Sequence, residues 1–316
     1  MVNKNHNKPV VAVITTGGTI ASKRGENGAS TPTLSGEELL GLVPNIDAEL
    51  RVIDLMARDS ASLTLADMQH VSDTVGSSLA NPEIQGVVVL HGTDAMEETA
   101  LLLHLQHKTT KPVILTGAQF TADHHDADGP VNLAHALQLA LDCNTTERGV
   151  SIAFGGRVLS AWGVYKARSD NADAFHPVSS DPRKPRLNLF TPIGDDRIDT
   201  IAIYPGCDAL HINASIDAGA RGIVLAALGS GNATPAVAEA VKECVRQGIA
   251  VVVSSRVPEG LLTTGYGGGG GGHDLAAAGA IHARTLRPGQ ARILLAALIA
   301  NNCAKEAMVS AFNDEE

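Results

Sequence analysis

The stretch Val10-Val11-Ala12-Val13-Ile14 runs straight into Thr15-Thr16-Gly17-Gly18-Thr19. An unbroken apolar run closed by a Thr/Gly turn predicts a strand buried on both faces, as found in a parallel sheet covered by helices on each side. Gly86-Val87-Val88-Val89-Leu90 repeats the pattern and leads into His91-Gly92-Thr93-Asp94. In an open parallel sheet the ligand sits beyond the carboxyl ends of the strands, where both turns fall. Glycine lets the backbone turn sharply and approach a neighbour closely. Two hydroxyls, Thr19 and Thr93, and the Asp94 carboxylate are thereby candidate groups of one crevice.

Further strands are expected at Arg51–Met56, Pro112–Leu115 and Gly149–Phe154. Ser35 with Glu38 has capping-box spacing and predicts a helix start. Thr64 with Asp67 predicts another helix, through about Leu79. Met96–His107 has helical spacing, and Pro130 suits the first turn of a helix running to about Cys143. The recurring strand, loop, helix order predicts an α/β fold with a doubly wound sheet. Lys23–Thr33 is polar and glycine-rich, and reads as a disordered surface loop or a lid.

Asp181-Pro182-Arg183-Lys184-Pro185-Arg186 and Thr191-Pro192-Ile193-Gly194-Asp195 carry Pro and charge without apolar periodicity. They divide the chain into a larger N-terminal α/β domain, residues 1–190, a linker at 191–198, and a smaller C-terminal α/β domain, 199–316. Strands are expected there near Thr200–Tyr204, Gly222–Ala227 and Ile249–Ser254. Helices are expected at Pro235–Gln247, capped by Thr234 and stopped by Gly248, and at Gly289–Asn301.

A length of 316 residues fits two domains of ~150 residues each. The formal charge of −10 argues against a nucleic-acid partner, which requires a basic face. Cys143, Cys207, Cys244 and Cys303 are far apart, without the spacing of a zinc site or a disulfide framework. No apolar leader and no membrane-length apolar run is present, so the expectation is a cytoplasmic protein without a membrane partner. Asp123-His124-His125-Asp126-Ala127-Asp128 has ligand-type side chains, but adjacent residues seldom converge on one ion, and a hydrated loop with no metal is the reading. Gly267–Gly272 lacks the Lys-Ser/Thr ending of a phosphate loop and reads as a mobile lid or subunit-contact loop.

Taken together, Thr16-Gly17-Gly18-Thr19-Ile20-Ala21-Ser22 and His91-Gly92-Thr93-Asp94-Ala95-Met96-Glu97-Glu98-Thr99-Ala100 resemble the bacterial L-asparaginase family. Asp128-Gly129-Pro130-Val131-Asn132-Leu133, Lys166 and Ser255-Arg256-Val257-Pro258 extend the resemblance over residues ~10 to ~300. It implies an amidohydrolase that converts L-asparagine to L-aspartate and ammonia without a cofactor. It also implies a homotetramer built from dimers, with sites between subunits. The chemistry is acyl transfer, in which a weak hydroxyl nucleophile needs a base or charge network and the oxyanion needs preorganised donors. By resemblance Thr19 is the nucleophile, Thr93 activates the attack or positions the water, and Lys166 pairs with Thr93 and Asp94. Asp94 would also hold the substrate α-ammonium, Ser60 the α-carboxylate, and the Ala118 N–H the oxyanion. Asn232 would reach a neighbouring subunit's site. Which threonine carries the acyl group stays open.

The family's loop tyrosine is absent, with Ala29 at its position, and the family's acidic residue in the Tyr266 region is not identifiable. Tyr266, at the head of the six-glycine run, is a candidate replacement or a plain loop residue. Ala61 stands where the family often carries glutamine, and the expectation leans towards asparagine preference. Two alternatives differ in kind. One is a catalytically weak amino-acid binding or sensing protein on the same fold, against which Thr19, Thr93, Asp94 and Lys166 all speak. The other is an asparaginase-like subunit of a transfer-RNA amidotransferase, which needs an extra N-terminal domain ahead of Val10.

Overall fold

A computed structural model describes residues 8–25, 29–44, 46–142, 149–180, 187–194 and 196–313. The chain forms two compact units, one of residues 1–161 with 166–175 and the other of 162–165 with 176–316.

The first unit runs β1 (Val10–Gly17), β2 (Ser22–Arg24), β3 (Ser30–Pro32), α1 (Gly36–Leu40), β4 (Glu49–Arg58), α2 (Leu65–Ala80), β5 (Ile84–Leu90), α3 (Met96–Gln106), β6 (Val113–Thr116), α4 (Gly129–Leu141), β7 (Val150–Phe154) and β8 (Arg157–Ser160). Its main sheet has the order β4-β1-β5-β6-β7-β8. All neighbours are parallel except β8, which returns antiparallel along β7. Because successive strand residues face opposite sides, Val11, Val13, Val88 and Leu90 pack under α4 with Leu133, Ala136 and Leu137. Ala12, Val87 and Val89, fully buried on the other face, lie on the α2 and α3 side. That two-sided burial is why β1 and β5 are apolar without alternation.

The expected capping boxes are formed at both helix starts, Ser35 with Glu38 on α1 and Thr64 with Asp67 on α2. The polar stretch after β1 is a hairpin rather than an unstructured loop: Ser22, Lys23 and Arg24 pair antiparallel with Pro32, Thr31 and Ser30. Its central residues 26–28 lie outside the described residues, whereas Ala29 accepts the Gly25 N–H at 2.8 Å. Cys143, the expected end of α4, also lies outside them, and the described helix stops at Leu141.

A two-stranded ribbon, β9 (Val164–Lys166) and β10 (Phe175–Pro177), carries the chain between the units. The second unit continues through β11 (Ile198–Ala202), α5 (Leu210–Asp217), β12 (Gly222–Ala227), α6 (Pro235–Arg246), β13 (Ala250–Ser255), α7 (Gly272–Ala277), β14 (Ile281–His282), α8 (Pro288–Ala300) and α9 (Lys305–Phe312). Its sheet, in the order β11-β12-β13-β14, is parallel throughout. Thr234 caps α6 by accepting the Val237 N–H, as its position before Pro235 predicts. Helix α8, buried nearly all round, packs on β11, β12 and β13, which accounts for its continuous apolar run. Among the described residues no helix is long and apolar enough to cross a membrane.

Candidate active site

In the first unit the chain winds from β1 to β4 on one side and then continues through β5 to β8 on the other. The strand order reverses between β1 and β5, and ligands of such sheets bind outside the carboxyl ends at that switch point. Thr15 is in register with Leu90, so the turns bearing Thr19 and Thr93 emerge side by side.

Glycines bring these turns into contact. Gly18 has φ 80 and ψ −176, a region open essentially to glycine alone. A Cβ added there would lie 2.4 Å from Gly92 Cα, and one added to Gly92 would lie 2.4 Å from Ser60 Oγ. A Cβ on Gly117, in the turn after β6, would lie 2.3 Å from the His91 carbonyl oxygen. Four segments thus converge, and each glycine is followed by a candidate residue: Thr19, Thr93 or Ala118. Around them Thr16 Oγ1 donates to the Leu90 carbonyl at 3.0 Å and Ser22 Oγ to the Gly18 carbonyl at 2.9 Å.

Lys166, from β9, reaches this cluster. Its Nζ donates to Thr93 Oγ1 at 2.8 Å and to Asp94 Oδ1 at 2.7 Å. Thr93 is buried, while the Asp94 side chain is 55% exposed. One ammonium therefore ties an enclosed hydroxyl to a carboxylate open to solvent, and a cation lies beside the Thr93 hydroxyl oxygen. Ser60, buried, opens a single 3-10 turn that Asp59 caps by accepting the Ala61 N–H. Its Oγ accepts the Asp94 N–H at 3.1 Å. Ala118 is buried, and among the described residues no acceptor pairs with its backbone N–H. The structure thus gathers the turns of Thr19, Thr93 and Ala118 with Ser60, Asp94 and Lys166.

Two further residues of the cluster carry no local signal in the sequence. His91 is fully buried, with Nδ1 2.8 Å from the Gly92 carbonyl and Nε2 2.9 Å from Thr99 Oγ1. Burial lowers its pKa to about 4, against the opposing Gly92 hydrogen bond, so the ring is neutral and pins the turn to α3. Glu97, in the first turn of α3, accepts the Lys166 backbone N–H at 3.4 Å. Burial pushes its carboxyl up to about 7, opposed first by its own backbone N–H and then by Lys166, and aided by Glu98. In sequence, Glu97-Glu98 reads as ordinary acidic residues at a helix start.

Asn232 and Tyr266 belong to the second unit. Asn232 closes the turn after β12, and its Oδ1 accepts the Gly272 N–H at 3.1 Å, tying that turn to the glycine-rich segment. Tyr266 is 64% exposed, and its carbonyl accepts the His273 N–H. Ligand-type side chains come together at His124, His125 and Asp126, whose donor atoms lie within 4.8 Å of one another on an exposed loop after Ala118. His125 Nε2 lies 2.9 Å from Asp126 Oδ2, and His124 Nδ1 accepts the Asp126 N–H.

Residues 10–186 match the family model described as asparaginase, N-terminal, and residues 197–312 match the glutaminase/asparaginase C-terminal domain. An L-asparaginase of Bacillus licheniformis is 29% identical over 310 residues, covering 92% of this chain and 95% of that protein. L-asparaginase 2 of Escherichia coli is 30% identical over 313 residues, covering 91% and 88%. The solved structure of a probable cytoplasmic L-asparaginase from Campylobacter jejuni superposes with a TM-score of 0.86 at 28% identity, covering 97% of this chain and 99% of that one.

Proposed function

Since this chain belongs to the asparaginase family through both its N-terminal and its C-terminal domain, we propose that it hydrolyses L-asparagine to L-aspartate and ammonia through a threonine acyl-enzyme. The observation that carries this reading is the Lys166 ammonium bridging Thr93 Oγ1 and Asp94 Oδ1 beside the Thr19 turn. A binding site alone has no use for a hydroxyl polarised in this way.

Thr19 Oγ attacks the side-chain amide carbon while its proton passes to the leaving nitrogen. The tetrahedral oxyanion takes the Ala118 N–H as donor, and collapse expels ammonia and leaves an ester on Thr19. Water held by Thr93 then attacks that ester, with the Lys166 ammonium stabilising negative charge on the hydroxyl network. The water's proton returns to Thr19 Oγ as aspartate leaves. Asp94, half open to solvent, takes the substrate α-ammonium, and Ser60 takes the α-carboxylate. Holding both charged ends fixes the amide against the nucleophile and supplies much of the rate through orientation.

The assembly is a homotetramer of dimers, in which Asn232 and Tyr266 contribute to a neighbouring copy's site, and Tyr266 supplies the hydroxyl that Ala29 lacks. The protein is cytoplasmic. These assignments rest on the family resemblance. The test is ammonia release from L-asparagine and from L-glutamine by the wild type, Thr19→Ala and Thr93→Ala. Release from asparagine that vanishes in both variants supports the mechanism, and a burst of ammonia retained in Thr93→Ala alone identifies Thr19 as the acyl carrier. No release from either amide, with asparagine still raising Tm, would overturn the reading. Wild-type kcat/KM in Tyr266→Phe would remove Tyr266 from the site.

A further inference from the structure

The mechanism above leaves Glu97 unused, although its carboxyl oxygen Oε2 is buried beside the cluster. Burying a carboxyl is costly, and packing alone is served as well by an amide or an apolar side chain. Glu97 sits in the first turn of α3, directly after the turn that carries Thr93 and Asp94, and its Oε1 accepts the backbone N–H of Lys166. The same lysine places its ammonium between Thr93 and Asp94. Lys166 is therefore gripped at both ends by one stretch of chain, its backbone by Glu97 and its side chain by Thr93 and Asp94.

Glu98 acts on Glu97 from its own helix and Lys166 from β9. Strands β6 and β7, packed against α3, contain no ionisable residue. From α2, Gln69 and Ser72 meet Gln106 at the far end of α3, where His107 also contacts Ser72. The proton balance at Glu97 is thus set by burial and Glu98, which favour the neutral acid, against its own backbone N–H and Lys166, which favour the carboxylate.

We propose that Glu97 is a positioning residue for Lys166, gripping its backbone when ionised and loosening that grip when protonated, so that Glu97 controls how firmly the ammonium is held against Thr93. The inference rests on the amidohydrolase reading for its consequence in turnover, but not for its structural content. An ionised acceptor binds an N–H more strongly than a neutral one. Since the carboxyl is pushed up to about 7, kcat should rise with pH through an inflection near 7. KM should follow Ser60 and Asp94 and stay level.

Two measurements test it. In ammonia release from L-asparagine between pH 5.5 and 8.5, Glu97→Gln keeps an acceptor oxygen but cannot ionise. It is expected to lose the inflection near 7 and to fall about tenfold in kcat at pH 8, with KM within twofold, because small displacements of a reacting group are costly in rate. Glu97→Leu, without the acceptor, should fall further at every pH. An unchanged inflection and kcat in Glu97→Gln would overturn the proposal. The second readout needs neither turnover nor a variant: the backbone amide resonance of Lys166 in selectively labelled wild-type protein should titrate with a midpoint near pH 7. An amide that does not move between pH 5.5 and 8.5 overturns the inference. An amide that titrates in a protein releasing no ammonia removes the amidohydrolase reading and leaves the Glu97 grip standing.

Discussion

Gly18→Ala tests the claim that the two threonine turns are held in contact by missing side chains. Two costs add at this position. Gly18 occupies a backbone region open essentially to glycine, where another residue costs about 1–3 kcal/mol. The new Cβ would also stand 2.4 Å from Gly92 Cα and 2.6 Å from Gly92 N, both backbone atoms that cannot swing away. Overpacking of this kind costs typically ~1–3 kcal/mol, so the expected loss is about 2–6 kcal/mol. At roughly 2–4 °C per kcal/mol for a unit of this size, Tm should fall by about 10 °C. Activity should fall by more than stability predicts, because relief requires Gly92, and with it Thr93, to move off the Thr19 turn. Gly156→Ala is the control: its φ of 76 is also positive, but nothing lies within 4 Å of the added Cβ. Calorimetry and ammonia release on both proteins, below their melting temperatures, separate the two costs. Equal Tm and equal kcat/KM in the two variants would refute the reasoning, since only the backbone strain would then matter.

Lys166→Met should lower kcat by ~10²–10⁴, the range for losing a group that handles the proton of a reacting hydroxyl. Tm should change little, because its ion-pair partner Asp94 is more than half exposed; a variant within tenfold of wild type would deny Lys166 its role. His91 gives a pH dependence of stability. Its folded pKa lies near 4, below its ordinary value of 6.5, because the ring is buried. The folded state therefore resists a proton that the unfolded chain accepts. The contribution is fully present above pH 6.5 and is lost as pH falls towards 4, to a total of about 3 kcal/mol. Denaturation midpoints measured from pH 7 to 4.5 should fall less steeply in His91→Gln than in the wild type, and parallel slopes would contradict the assignment.

Much of the fold is legible in the sequence because its signals are local. The apolar runs of β1 and β5 declare two-sided burial, and Ser35, Thr64 and Thr234 announce helices through side chains that bond three residues on. Elements whose reason is non-local stay hidden. The β2–β3 hairpin is built from polar residues without alternation, and its register comes from pairing across a turn. Helix α5 starts without a side-chain cap, and α7 begins within the glycine run that composition marks as a loop. Strand β14 is two residues long and exists through its pairing with Val252 and Val253.

The site divides along the same line. Thr19 and Thr93 are visible because each ends an apolar strand in a glycine turn. Lys166 has no such context, and only family resemblance singles it out from the other lysines of the chain. Its place in the cluster is set by two contacts, to Thr93 and Asp94, that no local pattern encodes. The glycines make the point more sharply. Gly18, Gly92 and Gly117 each look like turn formers, yet Gly92 and Gly117 do not have positive φ and bend nothing that alanine could not. They are glycine because Ser60 and the His91 carbonyl occupy the space a Cβ would need. What the turns require of their sequence is thus set less by their own conformation than by the packing of four segments around one crevice.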